Sequence, residues 1–328
     1  MRRLILATIL SLTLSTTFGA FEARADSDSG SAAEFSSPER KVLIKPYIET
    51  PGLNLELKSI TQQDRVVVWS PNYRAQTGVS LGYDGLIGVA IAGKGDLKQE
   101  DLDLKGSTTY SDFRFRFPWR RVSVEFGYQQ TKGFFAENTS AFAPGNATIK
   151  RPDLQLESKY LQLIGVLRPN SYSLAAAFDH SELQRTSGGS PLAALQFIET
   201  SLSDSQELIP SQLQPAFGAE ALIKRGVFQT ANAGLGYGYL FRFGDTGYAF
   251  AQGLLGFGAQ LGKTYSDTQE FSANESSFLA RADFGVGDSG DRMVGGLHLS
   301  VDSTSNKTAA TELSRRLTLV QVFIGIRL

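Results

Sequence analysis

Apolar residues recur at every second position along much of the chain, and the clearest instance runs from Tyr110 to Thr131. Phe113, Phe115 and Phe117 alternate with Asp112, Arg114 and Arg116. After Pro118-Trp119, Val122, Val124, Phe126 and Tyr128 alternate with Ser123, Glu125, Gly127 and Gln129. A period of two with a break at proline predicts two strands joined by a tight turn. The same period marks Tyr73 to Tyr83, Ile87 to Ile91, Ala231 to Tyr239, Phe278 to Val286 and Val320 to Leu328. A soluble sandwich would bury the apolar face of such strands. An outer-membrane barrel gives that face to lipid and turns the polar face into its lumen.

The connections favour the barrel. Short turns fall near 84, 118, 169, 243 and 288, and long connections at 61–71, 94–105, 132–155, 185–228, 263–275 and 303–313. Short turns at one end and long loops at the other are the pattern of outer-membrane barrels, with the short side periplasmic. The expected fold is therefore an all-β transmembrane antiparallel β-barrel of 12 strands with both ends of the sheet in the periplasm. Fourteen is the alternative if 190–200 and 214–226 are both strands. The first strand is expected at about 52–60, because Pro46 and Pro51-Gly52 read as bends, and Tyr172 to Phe178 is expected to be a strand after the Pro169-Asn170 turn. Glycines repeat on the face opposite the apolar one, where a curved lumen wall needs room and a sandwich surface does not.

Composition adds the compartment. Arg2 and Arg3 precede an apolar run from Leu4 to about Phe18, and Ala23-Arg24-Ala25 has the small-x-small form of a cleavage site. Residues 1–25 therefore read as a secretory signal peptide, 26–41 as a small polar lead-in and 42–328 as one barrel domain. The formal charge is -1. The leader carries Arg2, Arg3 and Arg24 against Glu22, so its removal leaves -3, a balance that gives no case for nucleic-acid binding. The absence of Cys excludes disulfides and thiolate metal sites. The 33 Gly, 22 Phe and 11 Tyr suit strands and interfacial belts. The expected partners are outer-membrane lipid and the barrel-assembly machinery, with a small solute as an option.

Candidate chemistry is sparse. Asp112, Arg114, Arg116 and Glu125, joined by Arg74, Arg281, Asp283 and Arg327 from other strands, are expected to line the lumen. Such charges fit a water-filled pore, or a salt-bridge network that locks the lumen shut, and the even mixture of signs favours the network. His180 and His298 are the only histidines. His180 shares the apparent outward face of Tyr172 to Phe178, which keeps a lipid hydrolase in view, although Ser181 beside it in a regular strand would point the opposite way. No metal ligand set or phosphate-binding glycine loop is recognisable, and no cofactor is expected.

Several segments are more selective. They are Pro71-Asn72, Lys132-Gly133-Phe134-Phe135, Arg151-Pro152-Asp153, the run Glu182 to Ser190, and Gly234-Leu235-Gly236-Tyr237-Gly238-Tyr239. Together they resemble the uncharacterised family numbered 4421 among the domains of unknown function, from Gram-negative bacteria. The family tends to carry a second Gln or Lys and a single Gly-Ser pair where this chain has Arg185 and Gly188-Gly189. The resemblance implies an outer-membrane barrel and supplies no catalytic residues. The shared polar positions Gln184, Arg185, Ser187 and Ser190 are expected to gather with Lys132, Arg151 and Asp153 near the outer rim or upper lumen, as a loop plug or a small polar site. Three function classes follow: a passive pore or structural envelope protein, a lipid-modifying hydrolase, and a loop-based binding or assembly module.

Overall fold

A computed structural model describes residues 35–83, the backbone of 87–92, and residues 99–119, 121–143, 145 and 148–328. The expected signal peptide, most of the expected lead-in and the expected Asp84-Gly85 turn lie outside the described residues. The strands are β1 (Phe35–Ser36), β2 (Val42–Ser59), β3 (Val66–Ser70), β4 (Gln76–Tyr83), β5 (Ile87–Ala92), β6 (Thr109–Pro118), β7 (Val122–Ala136) and β8 (Lys150–Val166). They continue with β9 (Leu183–Gln184), β10 (Gly188–Ser203), β11 (Arg225–Phe243), β12 (Gly247–Tyr265), β13 (Glu270–Ser289), β14 (Met293–Lys307) and β15 (Thr311–Arg327). One antiparallel sheet closes on itself, because β15 pairs back onto β2 from Thr311↔Ser59 to Arg327↔Leu43. β3 and β4 pair with the two halves of β2 and serve as one wall, so the described residues form a barrel of twelve walls.

Twelve matches the expected count, but one wall is not where the alternation placed it. Residues 170–184 are no strand of the barrel, and β10 takes that place between β8 and β11. Tyr172, Leu174, Ala176 and Phe178 imitate a strand over a few residues, yet every residue from Tyr172 to Ala177 is buried, which no lipid-facing strand allows. The stretch 214–226 holds two short 3-10 turns, Gln214–Ala216 and Gly218–Glu220, ahead of β11, so fourteen strands are not reached. β2 begins at Val42 rather than near 52. Pro51 costs it little, since β2 has no partner from β3 or β4 between Glu49↔Gln76 and Leu55↔Trp69, and a missing N–H is tolerated there. The loop region near 94–105 also contains a short helix, Gln99–Lys105.

The two ends of the barrel differ. At the turn end lie Val42, Leu328, the adjoining ends of β6 and β7, and the turns at 244–246 and 290–292; at the loop end lie the connections 60–65, 204–224, 266–269 and 308–310 and the adjoining ends of β7 and β8. Large apolar side chains point outward, with Leu235 70 % and Phe257 71 % exposed, while Gln252, Asp283 and Gln162 on neighbouring walls are buried. An apolar exterior around a polar interior, with the sheet closed on itself so that strand N–H and C=O groups find partners on neighbouring strands, is the arrangement that hydrocarbon permits. Among the described residues no helix is long and apolar enough to cross a membrane. The strands do the crossing, and the chain is an outer-membrane β-barrel.

Inward-facing glycines seat aromatic rings. Tyr47 stands opposite Gly78, Tyr160 opposite Gly127 and Phe250 opposite Gly285 in the sheet register. A Cβ on Gly127 would lie 2.1 Å from the Tyr160 ring. Gly253 faces outward with nothing within 4 Å. Gly127→Val should therefore cost about 1–3 kcal/mol or more and deplete the folded, fast-migrating form in unheated gels. Gly253→Val should leave that form intact.

Candidate functional site: the filled lumen

Polar side chains on the inward face of the strands meet in a belt across the middle of the barrel. Asp112 and Arg114 on β6 are ion-paired, and the Arg114 guanidinium also approaches Glu49 on β2 at 3.8 Å. Arg116 pairs with Glu125 on β7 and, at 3.2 Å, with Asp179; Tyr160 donates to Glu125 at 2.7 Å. Arg281 on β13 donates to Asp283 at 2.9 Å and reaches Gln162 on β8 at 2.8 Å. Arg315 on β15 donates to Gln129 on β7 at 2.9 Å, and Gln129 donates to Asp112 at 3.0 Å. β13 and β8 are not neighbours in the sheet, nor are β15 and β7, so these contacts cross the lumen. Buried charges persist only when paired and hydrogen-bonded, and here each cation meets a carboxylate, an amide oxygen or both. A small cavity lined by Arg116, Glu125, Gln162, Asp179 and Arg281 leaves room for about one or two water molecules.

The turn end is stoppered by residues 167–187, which leave β8, fold into the lumen and return as β10. Tyr172, Leu174, Ala176 and Ala177 pack against Ile164, Val166, Leu192, Leu240, Tyr248, Phe250 and Leu254 of the walls. Gln184 ties the plug together: its Oε1 accepts from the Ser173 amide at 3.1 Å, and its Nε2 donates to the carbonyls of Ser171 and Thr186 at 3.2 and 3.0 Å. The exit of the plug is β9, which pairs with β1 of the lead-in. The Arg185 Nε donates to Ser36 Oγ at 3.2 Å across the same ribbon.

The loop end is closed by residues 204–224. Leu208, Ile209, Leu213, Ala216, Phe217 and Ile223 pack on Leu55, Leu57, Trp69, Phe134, Leu154, Leu202 and Phe228 of the walls. Trp69 Nε1 donates to the Leu208 carbonyl at 3.2 Å and Ser59 Oγ to the Ala216 carbonyl at 2.6 Å. Glu220, buried, accepts from Thr308 Oγ1 at 2.6 Å. Arg151 clamps the near edge through Gln206 Oε1 at 2.8 Å and the Glu207 carbonyl at 2.7 Å, with its guanidinium over the Trp69 ring.

The sequence candidates divide accordingly. Asp112, Arg114, Arg116, Glu125, Arg281 and Asp283 lie in the belt. Arg327 lies at its turn-end edge, donating to the His180 carbonyl at 2.6 Å. Arg74 does not face the lumen: it precedes β4 at the loop end, half-exposed, and pairs with Asp101 at 2.7 Å. The expected gathering of Gln184, Arg185, Ser187 and Ser190 with Lys132, Arg151 and Asp153 does not occur. The first four lie at the turn end, where Ser187 Oγ accepts from the Arg242 amide and Ser190 Oγ from the Arg168 amide, each at 2.8 Å. The other three lie at the loop end, with Lys132 and Asp153 an exposed pair 3.4 Å apart. β8 and β10 span the barrel between the two groups, which sequence proximity conceals. His180 is not on the outward face; it is 1 % exposed inside the plug, between the rings of Tyr248 and Phe323. His298 lies inside as well, its Nε2 3.6 Å from Asp283. Among the described residues no cluster of three metal-ligating side chains exists.

Glu49, Gln129, Tyr160, Asp179 and Arg315 went unrecognised in the sequence. Gln129 and Tyr160 were accessible to the alternation, being an even step from Glu125 and Gln162. Glu49 was hidden by the flanking prolines and Asp179 by the strand-like plug. The selective segments also find a physical role. The Asn72 amide donates to Thr108 Oγ1 at 2.8 Å and its side-chain Nδ2 donates to the Gly106 carbonyl at 2.7 Å, which ties the segment ahead of β4 to the segment ahead of β6. Thr108 in turn donates to the Gly133 carbonyl at 2.6 Å. Gly133 has φ +92 at a bulge of β7, where a Cβ would meet the Ser107 carbonyl oxygen at 2.2 Å, so glycine alone fits.

The family model described as Domain of unknown function (DUF4421) matches residues 34–327. No curated protein matches the chain. Among solved structures, the outer membrane protease OmpT from Escherichia coli is similar at 7 % identity over 91 % of this chain and 99 % of that one, with a TM-score of 0.41. The translocator domain of autotransporter NalP from Neisseria meningitidis is similar at 10 % identity over 98 % and 97 %, TM-score 0.35. Ail, the attachment invasion locus protein of Yersinia pestis, is similar at 10 % over 87 % and 99 %, TM-score 0.26. Likenesses this low carry no argument about activity.

Removing one partner of the belt leaves a charge buried and unpaired. Arg281→Ala should lower stability by about 3–5 kcal/mol, and Arg281→Met with Asp283→Leu should recover much of the loss. Urea unfolding in lipid vesicles measures both.

Proposed function

Because the chain belongs to the family described as Domain of unknown function (DUF4421), whose model names no activity, we propose the function from the lumen: a closed barrel that acts as a structural component of the outer membrane and passes no solute at rest. The observation that carries this reading is the stacking of three barriers along one axis. An apolar plug at the turn end, the ionic belt and an apolar cap at the loop end follow one another, and the cavity beside Arg116, Glu125 and Arg281 in the belt is water-sized. Conduction needs a continuous hydrated path with sites weak enough for a solute to leave. Paired guanidinium and carboxylate groups that reach across the lumen supply the opposite: fixed partners and no free path.

The hydrolase reading loses its anchor, since His180 meets no lipid. The reading as a loop-based binding module keeps the external surface of the cap and of the other loop-end connections, where the described residues supply no cluster of metal-ligating side chains.

Purified protein reconstituted into planar bilayers should give no conductance steps under conditions where a general porin does. Double replacement of the interiors of 167–187 and 204–224 by short Gly/Ser linkers should produce them. Ohmic steps from the unaltered chain at neutral pH would sink the closed-barrel reading.

A further inference from the structure

The turn-end plug is assembled from backbone conformations that proteins use sparingly. Ala175–Asp179 forms a π-helical turn, a form that mostly appears singly and often at functional positions. His180 follows it with φ 56, the one non-glycine residue among the described residues with a positive φ. A buried side chain in the left-handed region persists only where the surroundings over-determine it.

Three pins do so here, each a cation from a different wall. Lys45 on β2 donates to the Phe178 carbonyl at 3.3 Å, Arg116 on β6 holds the Asp179 carboxylate at 3.2 Å, and Arg327 on β15 donates to the His180 carbonyl at 2.6 Å. The imidazole sits among them. Its ring centroid is 5.2 Å from that of Tyr248 on β12 and 5.2 Å from that of Phe323 on β15, and its Nε2 is 3.4 Å from the Tyr248 hydroxyl. The titratable and charged groups that face it are Lys45, Arg327, Tyr248 and His298 of the walls, together with Asp179 of its own segment, which Arg116 already engages. A neutral ring fits this nest of cations; an imidazolium adds like charge between Lys45 and Arg327, while the neighbouring carboxylate, Asp179, is held through one oxygen by Arg116.

We infer that His180 is an acid-sensitive latch, and that its protonation unseats the 167–187 plug from the turn end of the barrel. The inference rests on the closed-lumen reading and adds a condition under which the lower barrier opens while the belt and cap stay in place. Burial, with Lys45 and Arg327 beside it, holds the seated imidazole well below the usual histidine range. The unseated imidazole titrates at its ordinary value, about 6.5. Seating is thus at full strength above about pH 6.5 and weakens by up to about tenfold for each unit below it, until the seated group itself titrates. Asp179 works in the other direction. Burial raises its carboxyl against the pull of Arg116, so it takes up a proton more readily when seated and its contribution strengthens seating as pH falls.

The chain contains no Cys, so a single introduced thiol reports cleanly. Ala177→Cys, buried in the plug, and Thr186→Cys, exposed beside it, are labelled in vesicles with a polyethylene-glycol maleimide. The rate at 177 is divided by the rate at 186, which cancels the pH dependence of the thiol. Between about pH 7.5 and about pH 5 this ratio should rise about tenfold or more. In His180→Asn, which tolerates the left-handed backbone and cannot become cationic, it should stay flat. An unchanged ratio in the unaltered chain overturns the inference. So does an equal rise in both chains, or global unfolding at about pH 5 seen as loss of the fast-migrating gel form. Conductance at neutral pH tests the closed-barrel reading separately, since labelling at 177 can stay slow in a barrel that conducts by another route.

Discussion

A sheet in hydrocarbon has nowhere to leave an unpaired N–H or C=O, and each one left over costs several kcal/mol. The pairing of β15 with β2 removes the last free edge, and everything else in this molecule follows from that closure. Once twelve walls form a ring, alternate side chains must point into a space that lipid cannot fill. Water could fill it, as in a porin. This chain fills it with its own side chains and with two of its own connections.

The filling obeys different rules at different heights. At both ends the material is apolar and comes from segments between strands, which can pack as a soluble core does. At mid-height, the wall residues supply it themselves, and only long side chains reach far enough to touch from walls that are not neighbours. Arginine serves there because its planar fork can satisfy two acceptors at once, as Arg281 does with Asp283 and Gln162. The inward glycines belong to the same geometry, since rings such as Tyr160 lie flat only where the neighbouring strand carries no Cβ at the paired position.

Much of the architecture was readable from period-two alternation, because lipid on one side and a polar interior on the other impose opposite chemistry on successive residues. Tyr110 to Thr131 became β6 and β7 with its charges in the belt. The alternation fails where that contrast disappears. Tyr172 to Phe178 is apolar on all sides because it lies within the barrel, and four residues of apparent period two resemble a strand. Val42 to Thr50 failed for a different reason: prolines are poor ladder members in general, yet Pro51 lies where β2 has no β3 or β4 partner. The partners of the lumen charges were beyond reach altogether. Arg315 finds Gln129 only because β15 and β7 face one another across the ring, a fact of closure and not of spacing.

The plug is pinned by Lys45 from the first wall strand and by Arg327 from the last. Those two residues reach their places only when β2 and β15 meet, and that meeting joins opposite ends of the polypeptide. The stopper therefore cannot be fully pinned in a partly built ring. In a half-assembled barrel Tyr172 to Ala177 can already meet their apolar partners on β8, β10, β11 and β12, but the turn that follows them stays unpinned, and the final strand locks it in the same event that seals the wall.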